Sequence, residues 1–482
     1  MPRTSRPNIV FVLTDQQRFD TIAAMGHPHM ETPNLDRLVN EGVSFSQTFC
    51  QNPQCVPARA SLFEGTYVHT HGVYENERWG GEHVWVPLID GAGYATAGIG
   101  KMHTTPTRLP CGFQTRIYAE NKESRGKPGD EDDWSLYLKE NGLEKPGKQY
   151  LAQPDFKERL GAFEFPYGEE HMEDSFVARE AVTWLDGYEG DDPFFLYVGF
   201  IGPHDPFDAP KRIVDRYLQK DLPRPKRREG EQQEKPPEIY ARREMFKIAD
   251  AEGNPTNATG IFWDDPSDEQ IHRMMAHYLA GVTFVDEKVG ELLEALERKG
   301  ALDDTIIIFS SDHGEAMGDH FTMYKWFHFE GMVRVPLIAW APGRFPARRC
   351  DAIVELFDIA PTILELAGVE PPDRFQAESL VTLLEHDGEA AEVWSKEAAF
   401  SQDSLAAMVR TRTHKLVHYY DRPYGEFYEL ENDPGELYNK YDCPSDIGAF
   451  RRCYRLLTDY MTKGCPEPKH RRKEGRMGDA KP

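Results

Sequence analysis

Asn8-Ile9-Val10-Phe11-Val12-Leu13 is a short apolar run that passes directly into the polar stretch Thr14-Asp15-Gln16-Gln17. A run of this length that is rich in β-branched residues is typical of a strand. Three further runs of the same character are predicted as strands, at residues 95–99, 194–200 and 305–310. Amphipathic helical patterns separate them, so the sequence predicts an α/β fold with a mostly parallel sheet flanked by helices.

Three helices have clear start or stop signals. The first starts at Thr32-Pro33-Asn34, where proline occupies an early helical position, and ends at Gly42. The second covers residues 268–299 and the third covers residues 358–366, each followed closely by a glycine.

Composition limits the classes of partner. The chain has 482 residues, which predicts roughly two to four domains. Its 56 basic and 81 acidic residues give a net charge of −25. A surface this negative repels nucleic acid and anionic lipid, so neither is expected as a partner. No stretch reaches the ~20 apolar residues that a membrane span needs.

The start of the sequence and the cysteines bear on location. The apolar run at 8–13 is too short for a signal-peptide core and lacks a small-residue cleavage site, so a cytoplasmic protein is expected. The seven cysteines are odd in number and irregularly spaced. They predict neither a disulfide framework nor a CxxC metal site.

Changes of pattern along the chain predict its domains. Residues 1–370 are assigned to the α/β domain, with polar insertions at about 105–170 and 220–262. Each insertion is expected either to be a surface segment or to form a rim over an active site. Residues 371–465 combine short strands with a terminal helix and predict a smaller α+β domain with an antiparallel sheet. The basic tail 466–482 is expected either to fray or to wrap a neighbouring subunit, giving a homo-oligomer through the C-terminal region.

Chemically active side chains follow each of the four predicted strands. In chain order they are Asp15-Gln16, Lys101 with His103, His204, and Asp312-His313. Ligands of an open parallel sheet bind beyond the carboxyl ends of its strands, so these residues are expected to share one site. One such residue alone is more often a helix cap or a structural histidine. The first and last pairs together are typical of a divalent-cation site that holds an anionic substrate.

A fifth element is Cys55-Val56-Pro57-Ala58-Arg59, with Leu62 and Gly65 beyond it. Pro57 marks a helix start, which places Cys55 at the positive end of the helix dipole. Arg59 lies one helical turn further on the same face. A reactive group in this setting is suited to an anionic substrate, and the alternative is a buried structural cysteine.

These motifs resemble the sulfatase family of the alkaline phosphatase superfamily. The resemblance is strongest at Cys55-x-Pro57-x-Arg59 and covers nearly the whole chain in the family's order, through residues 8–15, 32–38, 98–103, 203–204, 311–315, 334–337 and 428–436. It implies an alkaline-phosphatase-like fold and a sulfuric ester hydrolase of the arylsulfatase type. The implied substrate is a small-molecule sulfate monoester, namely an aryl, choline or sugar sulfate.

The resemblance also implies a cofactor and a modification. In this family a maturation enzyme oxidises the cysteine to formylglycine, and the hydrate of that aldehyde is the nucleophile. The divalent metal, usually calcium, is implied to bind modified Cys55 together with Asp15, Gln16, Asp312 and His313.

Further roles carry over by resemblance to matching residues. Arg59 and Lys101 are implied to hold the hydrate and the substrate anion, and His103 to deprotonate the remaining hydroxyl. His204 and Lys325 are implied to stabilise or protonate the leaving group. Asn76, which follows the nucleophile helix, is a further candidate for the substrate pocket.

Ala58, Gln16 and His313 depart from the commoner family pattern. Gln16 removes one negative charge and His313 softens the metal site, so manganese stays open beside calcium. All three resemble the phosphonate monoester and phosphodiester hydrolases, but those enzymes carry Tyr and Thr where Lys101 and His103 stand. A sulfate monoester is therefore expected. The alternatives are a phosphonate or phosphodiester hydrolase and a catalytically silent relative that only binds metal and anion.

Overall fold

The computed structural model describes residues 6–122, 131–241 and 266–462. Its strands form one eight-stranded and one four-stranded sheet. In chain order they are β1 (Asn8–Thr14), β2 (Val43–Phe49), β3 (Ala95–Gly100), β4 (Thr115–Tyr118), β5 (Phe194–Gly199), β6 (Thr305–Ser311), β7 (Arg334–Trp340), β8 (Arg348–Glu355), β9 (Ala398–Gln402), β10 (Ala406–Thr411), β11 (His414–Tyr419) and β12 (Gly425–Glu429).

The larger sheet has the order β4-β3-β5-β1-β6-β7-β2-β8. β1 pairs in parallel with β5 and β6, and β3 pairs in parallel with β4 and β5. β7 is antiparallel to both of its neighbours, while β2 and β8 are parallel to each other. The predicted mostly parallel sheet is confirmed, and each of the four predicted strands lies within one residue of an observed one.

The described chain also contains α-helices, several of which cover the larger sheet. They are Pro33–Glu41, Cys55–Glu64, Val68–His71, Val86–Gly91, Asp133–Glu140, Gly147–Leu151, Glu173–Gly187, Lys211–Tyr217, Glu231–Glu234, Asp268–Arg298, Glu330–Val333, Ile359–Leu366, Val381–Glu385 and Ile447–Thr462. All three predicted helices are present. The longest begins at a capping box, in which Ser267 accepts from the backbone N–H of Gln270 and the Gln270 side chain accepts from that of Ser267.

The central strand β1 shows how both faces of the sheet are buried. Its side chains alternate between the two faces, as they do in any strand. Ile9, Phe11 and Leu13 belong to an apolar cluster that includes helix Ile359–Leu366. Val10 and Val12 belong to a second cluster, with residues of helices Glu173–Gly187 and Asp268–Arg298. A sheet covered in this way is accessible to a ligand at its strand ends.

The smaller sheet is antiparallel, with the order β12-β11-β10-β9. Apolar side chains of its strands pack against Cys453, Leu457 and Tyr460 of helix Ile447–Thr462. The expected antiparallel α+β unit is therefore present, whereas its limits at residues 371 and 465 stay a prediction.

Segment 105–170 is more than a surface insertion. Its strand β4 pairs in parallel with β3 and extends the larger sheet by one strand. Residues 123–130 of this segment, residues 242–262 of the second insertion and the tail 466–482 lie outside the described residues. Within the described ranges, no helix has the length and apolar character needed to cross a membrane.

Candidate active site

Four strands that precede candidate residues are neighbours in the larger sheet, in the order β3-β5-β1-β6. Because these strands are parallel, their carboxyl ends lie side by side at one edge of the sheet. The segments that follow them carry, in the same order, Lys101, His204, Asp15 and Asp312-His313. The structure thus brings together side chains that are almost 300 residues apart in sequence.

Asp15, Cys55, Asp312 and His313 form the centre of the site. One possible ligand atom from each lies within 4.8 Å of those of the other three, and all four residues are buried. The Sγ of Cys55 is 3.5 Å from Asp15 Oδ1 and 3.2 Å from His313 Nε2. The same Nε2 lies 3.8 Å from Asp15 Oδ1 and 3.7 Å from Asp312 Oδ1.

This donor set fits a divalent cation. The Nδ1 of His313 lies 2.8 Å from the carbonyl oxygen of Gly314, which assigns a ring proton to Nδ1 and directs Nε2 towards the centre. Burial opposes a positive charge on His313, but Asp312 and Cys55 together outweigh burial and raise the pKa of the imidazole. A position among carboxylates that stabilises a proton also stabilises a metal ion, which binds the same groups once they are deprotonated.

Gln16 lies against this centre with its amide held on both sides. Its backbone N–H donates to Asp312 Oδ1 at 3.1 Å. Its Oε1 accepts from Lys325 Nζ at 2.8 Å, and its Nε2 donates to Glu315 Oε2 at 2.5 Å. The amide orientation is therefore fixed, with Oε1 on the side of Lys325.

Arg59 and Lys101 are buried cations that neutralise the carboxylates. Arg59 donates to Asp312 Oδ2 at 2.8 Å and to Asp15 Oδ2 at 3.0 Å. Lys101 Nζ lies 2.7 Å from Asp15 Oδ2. Burial alone would raise the pKa of Asp15, but the surrounding cations, Lys101 foremost, outweigh it and hold that pKa well below its usual value.

Cys55 is the first residue of helix Cys55–Glu64, as the position of Pro57 predicts. Lys325 Nζ donates to the Sγ of Cys55 at 2.9 Å. Burial and the Asp15 carboxylate raise the pKa of the thiol, but Lys325 and the other cations outweigh them, so the pKa lies below its usual value. The cysteine is thus held in a setting that favours negative charge at its side chain.

His204 and Lys325 form a hydrogen-bonded pair beside Cys55. Lys325 Nζ is 2.8 Å from His204 Nε2, and His204 Nδ1 is 2.6 Å from the carbonyl oxygen of Asp205. Because Nδ1 donates to a carbonyl, Nε2 must accept from the ammonium. Burial, followed by the charge of Lys325, holds the pKa of His204 well below its usual value, so the ring is neutral.

His103 and Asn76 border the same centre. Burial, followed by the charge of Lys101, lowers the pKa of His103 well below its usual value. Asn76 Oδ1 accepts from the backbone N–H of Val56 at 3.0 Å, so it lies one residue from Cys55 and caps the first turn of the helix.

Comparison with known proteins identifies the family. The profile of the family described as Sulfatase matches residues 7–369, about three quarters of the chain. This chain belongs to the sulfatase family. It is a sulfuric ester hydrolase. A second profile, described as N-sulphoglucosamine sulphohydrolase, C-terminal, matches residues 318–459 of this sulfatase and includes its four-stranded sheet.

The sulfatase is similar to proteins named for several different activities. An arylsulfatase of Clostridium perfringens is 31% identical, with 98% of this chain and 96% of the relative covered. An N-acetylglucosamine-6-O-sulfatase of Bacteroides thetaiotaomicron is 29% identical, with 90% and 83% covered. The crystal structure of a phosphonate monoester hydrolase of Agrobacterium radiobacter has a TM-score of 0.75 at 26% identity, with 95% and 96% covered.

Sequence reasoning assigned no role to two residues that contact the site of this sulfatase. The hydroxyl of Tyr197 donates to the carbonyl oxygen of Lys101 at 2.6 Å and accepts from Arg59 at 3.1 Å. Glu315 anchors the amide of Gln16. Tyr197 lies within the apolar strand β5, and Glu315 lies within the family motif at residues 311–315. The sequence pattern therefore gave no reason to single out either residue.

Proposed function

We propose that this sulfatase hydrolyses a sulfate monoester, namely an aryl, choline or sugar sulfate, through formylglycine made from Cys55 by a maturation enzyme. The observation that carries the proposal is the position of the Cys55 side chain. It lies at a helix N-terminus, 2.9 Å from a lysine ammonium and within 4.8 Å of two carboxylates and one imidazole. That surrounding fits a charged nucleophile next to a metal ion.

Asp15, Gln16, Asp312, His313 and the modified residue 55 would hold the metal. Calcium is proposed on the oxygen donors, and manganese is the other candidate because Gln16 and His313 make the site less anionic and softer. The formylglycine hydrate supplies the nucleophile and the bound metal supplies Lewis acidity.

The remaining side chains bind the anion and move protons. Arg59 and Lys101 attract the sulfate oxygens and keep them beside residue 55. His103 has a lowered pKa and is neutral, so its imidazole can accept a proton. His204 and Lys325 are placed to stabilise or protonate the departing oxygen, and Asn76 is proposed to line the substrate pocket.

Phosphonate or phosphodiester hydrolysis fits less well. The sulfatase profile covers the α/β part of the chain, and the arylsulfatase and the sugar sulfatase are relatives over most of their length. The phosphonate monoester hydrolase shares the fold at lower identity. Lys101 and His103 match the sulfatase pattern and not that of the phosphonate hydrolases, and they are given more weight than Ala58, Gln16 and His313 because they would touch the transferred group.

Location and assembly belong to the proposal as well. We propose a cytoplasmic protein, since the described cysteines are all free thiols, as expected in a reducing compartment. A homo-oligomer formed through the C-terminal region is the proposed assembly.

The modification of Cys55 is tested by peptide mass spectrometry. Trypsin is expected to release residues 38–59, which contain both Cys50 and Cys55. After co-expression with a maturation enzyme, iodoacetamide should alkylate Cys50 only, and a hydrazide probe should label position 55. Cys50 is buried in the core and serves as the internal control. The proposal would be contradicted by a fully active sample whose peptide 38–59 is alkylated at both Cys50 and Cys55.

A further inference from the structure

The segment that follows β4 lies directly against the loop that follows β3. Lys101 Nζ donates to Asn121 Oδ1. The neighbouring Glu120 carboxylate accepts from two backbone N–H groups of the same loop, Met102 at 3.2 Å and His103 at 2.9 Å. Two adjacent residues of segment 105–170 therefore contact the Lys101–His103 loop at its ammonium and at its backbone.

The contact with Asn121 limits the direction of the Lys101 ammonium. An ammonium has three N–H donors, arranged at fixed angles. Nζ donates one hydrogen bond to Asn121 Oδ1 and forms an ion pair with Asp15 Oδ2 at 2.7 Å. Among the described residues, Asn121 is the one whose side chain accepts a hydrogen bond from this ammonium. The hydrogen bond and the ion pair together limit the rotation of the ammonium, and so the direction in which its remaining N–H groups point.

The contact with Glu120 supports an unusual backbone conformation. His103 has a φ of 65°, in the left-handed region that residues other than glycine rarely occupy. The Glu120 carboxylate accepts from its N–H and from the one before it, so this conformation keeps its backbone donors satisfied. The imidazole of His103 is thereby held beside Lys101.

Contacts outside the site hold the Glu120–Asn121 pair. Lys145 Nζ donates to the carbonyl oxygens of Glu120 and Asn121, at 3.3 and 2.8 Å. Asp132 Oδ2 accepts from the Glu120 backbone N–H at 2.7 Å and from Lys145 at 2.6 Å. The position of the pair is therefore set by segment 105–170 itself, so the pair can act as a fixed support.

We propose that Asn121 and Glu120 are positioning residues for the hydrolysis: Asn121 directs one Lys101 N–H to the substrate anion, and Glu120 holds the backbone that presents His103. The inference rests on the proposed function, because it takes Lys101 and His103 as groups that touch the substrate. It assigns to segment 105–170 a part in catalysis, beyond its strand in the sheet.

The test is a double-mutant cycle on the maturated, metal-loaded enzyme with an aryl sulfate. Asn121→Leu, which removes the acceptor at similar size, should lower kcat/KM about tenfold, the scale of one hydrogen bond to a charged group. In a Lys101→Ala background the same change should alter kcat/KM less than about twofold. Lys139→Ala, an exposed change in the same segment, is the matched control and should leave kcat/KM unchanged.

The outcomes separate the inference from the proposed function. An equal loss from Asn121→Leu in both backgrounds would mean a purely structural role and would overturn the inference alone. Full activity of Lys101→Ala would overturn the proposed function itself. If Asn121→Leu does not fold, Asn121→Ala takes its place in the same cycle. Glu120→Gln, which retains an acceptor, should keep most of the activity that Glu120→Ala loses; equal losses would remove Glu120 from the inference.

Discussion

The ammonium nitrogen of Lys325 lies 2.9 Å from the Sγ of Cys55, and both side chains are buried. Its other two close contacts are Gln16 Oε1 and His204 Nε2, each at 2.8 Å. All three N–H donors of this lysine are thus engaged within the site. One cation thus links Cys55, the proposed site of modification, with His204, the imidazole proposed to face the leaving group.

This link predicts a dependence on the leaving group. Lys325→Met and His204→Asn should each reduce kcat/KM more for sulfates of weakly acidic alcohols than for sulfates of acidic phenols, because an acidic phenol departs without help from a proton or cation. The difference should reach about tenfold across a series of aryl and alkyl sulfates, a barrier change of about 1.4 kcal/mol. Lys211→Met, at an exposed lysine, is the control. Equal losses along the series would remove both residues from the leaving-group side.

The carboxylates of the centre predict a joint loss of metal and activity. Asp312→Asn should lower bound metal, measured by elemental analysis, together with turnover, because it removes an anionic ligand from a site that already has Gln16 in place of a carboxylate. Asp351→Asn makes the same change at an exposed residue and should affect neither. Asp312 also accepts from Arg59, so thermal melting is measured in parallel.

Chelation tests the same site without a substitution. Exhaustive removal of divalent ions should abolish turnover, and re-addition of calcium or manganese should restore it. The ion that restores more activity identifies the working metal. Full activity of a metal-free sample would contradict the cluster.

His277 predicts how stability depends on pH. It lies on helix Asp268–Arg298, with Nδ1 2.9 Å from the carbonyl oxygen of Phe207. Burial is the main cause that lowers its pKa to about 4, against about 6.5 in an unfolded chain. Between these values the unfolded chain binds more protons, so the free energy of unfolding falls as the pH drops from about 6.5 to about 4. The slope for one such group approaches 1.4 kcal/mol per pH unit.

His277→Asn tests this dependence. Asparagine keeps an N–H donor for Phe207 but has no proton to gain. The melting temperature of the variant should therefore fall less than that of the wild type between pH 7 and pH 4.5. The measurement is thermal melting across that range in matched buffers. Parallel decline of the two proteins would show that His277 does not contribute.

The strand ends of the site could be predicted from sequence because each combines an uninterrupted apolar run with a polar segment. Asp15 and Asp312 meet because their strands β1 and β6 are direct neighbours in register. Spacing in the sequence alone does not tell which strands are neighbours in the sheet. Parallel topology supplies this adjacency, since all these strands end at the same edge.

Other parts could not be predicted in this way. The alternation in β2 is broken by the polar run Ser46-Gln47-Thr48, and β4 has only four residues. Lys325 was placed only by family resemblance, because no strand or helix pattern leads to it. Asn121 lies in a polar segment without periodicity, and its contact with Lys101 exists only because β4 pairs beside β3.

The preference for sulfate over phosphonate rests on Lys101 and His103. A cation beside the anion does not by itself favour sulfate, since a more highly charged phosphoryl group would be attracted more strongly. Preference must come from the charge balance of the whole site, in which Arg59 and Lys101 pair with the carboxylates Asp15 and Asp312 and Lys325 contacts Cys55. Some turnover of phosphoesters is therefore expected.

Catalytic efficiency on an aryl sulfate should nevertheless exceed that on an aryl phosphonate monoester. The two substrates carry the same leaving group, so that only the transferred group differs. Lys101→Ala should lower the sulfate reaction steeply, each tenfold loss corresponding to about 1.4 kcal/mol. The opposite ranking of the two substrates would make phosphonate hydrolysis the main activity, with Ala58, Gln16 and His313 as its markers.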